Sequence, residues 1–128
     1  MNNNIDTVRN FFRAWGRSTD DLRNAVNTYL APDAVWENIG MSTTTGPAET
    51  IAFLEKYLSG AKLATFDAEI LHIAGAGDVV FVERVDRAVR PDGTVRSSHG
   101  VRVLGVFELK DGKIAAWRDY FDTAPHKH

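Results

Sequence analysis

The chain has 128 residues, with 15 Lys and Arg against 17 Asp and Glu, a formal net charge of −2, and a composition that is 44% hydrophobic and 25% charged. That length suits a single domain over 1–128, and the charge balance gives no reason to expect nucleic acid or an anionic membrane as partner. With no cysteine, disulfides, zinc–thiolate sites and a thiol nucleophile are excluded, which fits a cytoplasmic location; no apolar run approaches the ~20 residues of a membrane span, and the start, Met1-Asn2-Asn3-Asn4, is too polar for a secretory signal.

Ile5, Val8, Phe11, Phe12 and Trp15 recur at three- and four-residue spacing and predict a first helix with one apolar stripe, broken by Gly16. Ser18 and Asp21 have capping-box spacing, and Leu22, Ala25, Val26, Tyr29 and Leu30 give the second helix its buried face before Pro32 and Asp33 end it. A short strand over 34–38 and a polar loop over 40–46 follow. Pro47 opens a third helix, in which Ile51, Leu54, Tyr57 and Leu58 share a face and Ser59-Gly60 closes it.

From Lys62 the period changes to two, which predicts strands at about 64–74, 79–90, 94–109 and 114–122. Between them stand turn sequences: Gly75-Ala76-Gly77-Asp78, Pro91-Asp92-Gly93 and Lys110-Asp111-Gly112-Lys113. Helices first and long strands afterwards mean an α+β fold: a curved, mixed but largely antiparallel sheet wrapped around N-terminal helices, with a cone-shaped pocket between them. The strands at 94–109 and 114–122 leave one sheet face, including Val106 and Ile114, in need of cover. A homodimer is therefore expected.

Charge falls where this pattern asks for core. Val80, Val82, Arg84, Asp86 and Ala88 share one strand face, and Asp119 sits between Trp117 and Phe121 on another. A carboxylate among aromatics needs a partner, and the guanidinium fork of Arg84 can hold two. Such an Asp–Arg–Asp cluster splits two carboxyl pKa values into one acid and one base. The alternative is a buried ion network that only fixes the sheet. Asn38, standing near Gly40, reads most simply as a turn residue.

Ala31-Pro32-Asp33-Ala34-Val35-Trp36-Glu37-Asn38, then Asp78-Val79-Val80-Phe81-Val82-Glu83-Arg84-Val85-Asp86, Gly105-Val106-Phe107-Glu108 and Ile114-Ala115-Ala116-Trp117-Arg118-Asp119-Tyr120-Phe121-Asp122, resemble the limonene-1,2-epoxide hydrolase family. That family belongs to the wider nuclear transport factor 2-like, or cystatin-like, α+β fold. The resemblance implies hydrolysis of a small apolar epoxide to a vicinal diol, in one step and without metal or other cofactor. Asp119 then matches the general base that activates water, Asp86 the acid that protonates the epoxide oxygen, Arg84 the group between them, and Asn38 the amide that holds the water. Trp36, Val82, Leu104, Trp117 and Phe121 are assigned to substrate binding, with Trp15, Phe53, Leu58 and Val80 as further apolar lining.

Trp36 departs from the family, which has tyrosine there. An indole donates one hydrogen bond and accepts none, so it cannot take a hydrogen from the water, and the simple reading of Trp36 is a core aromatic. Two other readings stay open: a ketosteroid-isomerase-like or polyketide-cyclase-like enzyme with one proton-moving Asp, and a non-catalytic small-ligand-binding protein. His72 and His99 stand without ligand-spaced neighbours, although His99 begins a strand and can reach the cavity mouth. His126 and His128 are at most weak metal binders. Arg87, Arg90, Arg96 and Arg102 read as solvated faces or an interface.

Overall fold

The structure, a computed structural model, describes residues 3–126. The side chain of His126 and all of His128 lie outside the described residues, and with them the reading of the tail histidines. The elements run α1 (Asn3–Arg13), α2 (Thr19–Tyr29), β1 (Leu30–Asn38), β2 (Ser42–Thr45), α3 (Gly46–Ala61), β3 (Thr65–Ala76), β4 (Val79–Val89), β5 (Val101–Lys110) and β6 (Lys113–Tyr120), with a 3-10 turn at Ala124–His126.

The six strands form one sheet in the order β2-β1-β6-β5-β4-β3. All neighbours are antiparallel except β1 and β6, which run parallel with Trp36 opposite Trp117 and Asn38 opposite Asp119. The sheet is thus mixed and open, and the three helices pack on its inner face. The stripe of α1, Val8, Phe11 and Phe12, continued by Trp15 in the turn after the helix, is buried in one core with Val80, Val82, Phe107 and Trp117. At roughly 25 cal/mol per Å² of apolar surface, burial of this stripe supplies more to α1 than helix propensity can in 11 residues.

Local chemistry sets the element ends. The Ser18 hydroxyl accepts the Asp21 N–H at 3.0 Å and so caps α2. The β5–β6 hairpin turns on Asp111 and Gly112, both at positive φ, as a two-residue turn with the right twist requires.

Four boundaries differ from the sequence reading. Chain direction changes before Pro32, not at it: α2 stops at Tyr29 and β1 already begins at Leu30. Pro32 lacks an N–H, and it falls where pairing with β6 shifts register between Leu30 and Val35. The expected polar loop over 40–46 contains β2, which folds back on β1 and seats the Thr44 hydroxyl 2.9 Å from that of Thr50. α3 ends not at Ser59-Gly60 but with Lys62 in the left-handed region.

β5 starts at Val101 instead of residue 94; among the described residues the strand pairing of the preceding segment is limited to the isolated bridge Val89–Val95. Gly100, at φ 63°, comes so close to β4 that a Cβ there would lie 2.7 Å from the Asp86 carbonyl oxygen. Ile114 is also corrected, because it is fully buried in the core, whereas Val106 lies on the outer face, opposite Phe81 and Arg118, and is itself little exposed. Apolar groups exposed on the outer sheet face include Val35, Phe81, Leu104 and Tyr120.

Candidate active site

Strand alternation carries Arg84 and Asp86 to the inner face of β4. The β4–β5 and β5–β6 registers then bring Arg84 opposite Val103, and Asp119 opposite Gly105. Arg84 and Asp119 are therefore separated by one strand whose side chain is missing at the crossing point. A Cβ at Gly105 would lie 2.6 Å from Arg84 Nη1 and 3.2 Å from Asp119 Oδ1. An inward-facing glycine in mid-strand is the usual sign of such a close approach. That signal was present in the sequence, but its use was not.

Arg84 is 1% exposed and bridges both carboxylates. Nε donates to Asp86 Oδ1 at 2.9 Å and Nη2 to Asp86 Oδ2 at 3.2 Å, while Nη2 also donates to Asp119 Oδ2 at 3.0 Å. Its Cζ stands 4.7 Å from the centroid of the Phe12 ring, a cation–π contact from α1. Burial opposes the guanidinium charge, but Asp119 and then Asp86 outweigh it and hold the group above its ordinary value. Burial pushes the Asp86 carboxyl up from its ordinary value, against the pull of Arg84, and the charges of Asp119 and Asp67 add to the rise.

Asp119 receives three N–H donors. Besides Arg84, Trp117 Nε1 donates to Oδ1 at 2.8 Å and Trp36 Nε1 donates to Oδ2 at 3.3 Å. The two indoles stack with centroids 4.5 Å apart. The reading of Trp36 as a plain core aromatic is thus revised: it is buried, and it also helps to hold the carboxylate. A carboxylate has about four lone-pair directions, so Oδ1, with a single donor, keeps acceptor capacity. Asn38, opposite Asp119 on β1, donates its amide to Ser42 Oγ at 3.0 Å, which leaves its carbonyl oxygen for another donor.

These groups line a cavity of about 390 Å³. Trp36, Asn38, Arg84, Asp86, Trp117, Asp119 and Phe121 all contribute to it, as do Trp15 and Phe53. Arg84 and Asp119 are almost inaccessible and form the inner wall; Met41, Arg96, Ser97 and Val101 stand at the exposed mouth. Sequence reasoning missed the rim contributed by β2 and the segment before β5, because neither follows the strand or helix periods.

Two of the assigned substrate-binding residues are elsewhere. Leu104 points outward, since its neighbours Val103 and Gly105 take the inward positions, and it is 45% exposed. Val82 faces inward but is sealed in the hydrophobic core with Val80 and Leu58, below the cavity. His99 is exposed, precedes β5 and does not line the cavity. His72 lies on the outer face, 2.9 Å from Glu83. There too Arg87 pairs with Glu69 and Arg102 with Glu83.

The curved open sheet, the helices on its inner face and the pocket between them define the nuclear transport factor 2-like class of α+β protein. A nuclear transport factor 2-like protein of unknown function from Burkholderia pseudomallei superposes with a TM-score of 0.76 at 26% identity, over 98% of this chain and 95% of that one. Within this class the assignment is narrower. Residues 2–125 match the family model of the limonene-1,2-epoxide hydrolase (LEH) catalytic domain, and the chain belongs to that family.

Among its relatives, epoxide hydrolase EphG of Mycobacterium tuberculosis is 36% identical over 100 residues, which are 78% of this chain. The chain spans 62% of the length of that curated relative. A solved structure of an LEH-like epoxide hydrolase from M. tuberculosis superposes with a TM-score of 0.72 at 31% identity, over 94% of this chain and 83% of that one.

Proposed function

We propose that the protein hydrolyses a small apolar epoxide to a vicinal diol by one-step acid–base catalysis. The observation that carries this reading is the bridge from Arg84 to Asp86 and Asp119, at 2.9 and 3.0 Å, on the inner wall of an apolar cavity. Family membership and the epoxide hydrolase relatives support it.

Ring opening needs a nucleophile on carbon and a proton on oxygen together. Asp119, through Oδ1, takes a proton from a water that the Asn38 carbonyl oxygen helps to orient. The resulting hydroxyl forms the new C–O bond as the ring C–O bond breaks. Asp86, whose raised pKa favours the protonated form, gives its proton to the departing oxygen. One proton then returns from Asp119 to Asp86 to complete the cycle. Trp36, Trp117 and Phe121 surround the reacting centre with apolar surface, which suits a hydrocarbon-bearing epoxide and excludes bulk water.

An isomerase or cyclase with one proton-moving Asp has no use for a second carboxyl on the same guanidinium, which favours the hydrolase reading. The test is a panel of apolar epoxides in oxygen-18 water, with the diols analysed by mass spectrometry. Under single-turnover conditions the first diol should already carry one oxygen-18, because water attacks directly. Asp119→Asn and Asp86→Asn should each lower turnover by ~10²–10⁴-fold. Wild-type-like turnover in both variants would place the chemistry elsewhere.

Phe81, Leu104 and Tyr120 expose apolar surface on the outer sheet face, among the ion pairs of His72, Arg87 and Arg102, and we propose that a second copy of the chain covers it. The absence of cysteine supports a reducing compartment such as the cytoplasm. Among the described residues no helix is long and apolar enough to cross a membrane.

A further inference from the structure

A second cavity, of about 650 Å³, opens on the other side of Trp15, between α1 and the start of β3. Its wall carries Arg9, Arg13 and Arg17, against one carboxylate, Asp67. Arg9 and Arg13 stand one helical turn apart on α1, and Arg17 follows in the turn after it. None of the three makes an ion pair among the described residues, unlike Arg23, Arg84, Arg87, Arg102 and Arg118.

Burial adds an independent observation. Arg9 Nε and Trp15 Nε1 are both buried donors without a hydrogen-bond partner, and both residues line this cavity. A buried donor left unpaired is destabilising, so two beside one cavity, with three guanidinium groups against a single carboxylate, call for a further acceptor that the chain itself does not supply. The remaining wall is apolar, with Phe66 and Ile70 prominent. Guanidinium forks match planar or tetrahedral oxyanions, and the apolar wall matches a hydrocarbon tail.

We propose that this cavity binds an amphiphilic oxyanion: a short aliphatic chain that ends in a carboxylate or phosphate head. The head sits among Arg9, Arg13 and Arg17, and the tail lies along Phe66 and Ile70. The site is separate from the Asp–Arg–Asp centre and does not depend on what that centre catalyses. Trp15 and Phe66 form part of both walls, and the indole of Trp15 makes tryptophan emission a reporter of occupancy.

The test is a fluorescence titration of the full chain with octanoate, octyl phosphate and 1-octanol, repeated by calorimetry. At least one of the two anions should bind ~10-fold or more tightly than octanol, because only a charged head takes charge-assisted hydrogen bonds from the guanidinium groups. Arg9→Gln and Arg13→Gln should each weaken that anion by a similar factor, and so should raised salt. Arg13 is exposed, so Arg13→Gln keeps the test valid if Arg9→Gln fails to fold. Equal binding of octanol and both anions would overturn the proposal. So would anion binding that Arg96→Gln abolishes while Arg9→Gln and Arg13→Gln leave it unchanged, because Arg96 lines the first cavity.

Discussion

Trp36 and Asp119 are joined by a direct hydrogen bond, from Nε1 to Oδ2 at 3.3 Å, on the same carboxylate oxygen that Arg84 holds at 3.0 Å. The tryptophan that departs from the family's tyrosine therefore gives its one N–H to the carboxylate. Trp36→Phe keeps an aromatic ring against Trp117 but removes the donor. Hydrogen bonds to charged groups contribute about 1.5–3 kcal/mol, and this long one belongs near the lower end. Urea unfolding should show a loss of that size; an unchanged midpoint would mean that the contact is energetically idle.

On the proposed mechanism, Asp86 should set the alkaline limit of activity. Its carboxyl is raised above the ordinary value by burial, and an acid donates only while protonated, so kcat/KM should fall as pH rises through that raised value. In Asp86→Asn this limb should vanish. The shift also bears on stability with the same sign: the folded chain binds this proton more tightly than the unfolded one does. The contribution is complete below the unfolded carboxyl value and is lost as pH rises through the folded one. Urea midpoints across that window should decline more in the wild type than in Asp86→Asn.

Gly105 is expected to be intolerant for a steric reason. A methyl group there would meet Arg84 Nη1 at 2.6 Å and Phe107 Cε1 at 3.0 Å, and Arg84 is pinned on both sides. Overpacking of this kind costs ~1–3 kcal/mol, and a ~1 Å displacement of a catalytic group costs ~10²-fold in rate. Gly105→Ala should thus lower turnover by ~10²-fold, equivalent to about 2.7 kcal/mol, alongside a stability loss of comparable size. Gly60→Ala is the contrast: nothing lies within 4 Å of that position in α3, and exchange there should add ~0.5–1 kcal/mol in thermal or urea unfolding.

The outer face of the sheet should hold the partner copy. Light scattering at micromolar concentration is expected to give twice the mass of the chain. Phe81→Glu with Leu104→Glu places two charges on that face and should shift the chain to monomer, with little loss of fold because both side chains are already exposed. A wild-type monomer at that concentration would end the dimer proposal.

The order of three helices followed by long strands was legible from period alone, because apolar stripes at three to four residues and alternation at two are local properties. The anomaly at Arg84, Asp86 and Asp119 was legible for the same reason: alternation puts charge on a face that must be buried. Local pattern could not tell that β1 runs parallel to β6, which sets Asn38 beside Asp119, nor that β2 lies hidden in a polar threonine run. Whether Leu104 or Val103 faces the cavity depends on register across three strands, and a slip of one residue exchanges the two faces. Trp36 reaches Asp119 across 83 positions of chain. The sequence alone determined which residues are out of place in a core; only the folded sheet decided which of them meet, because that depends on strand register and on the space left by one absent side chain at Gly105.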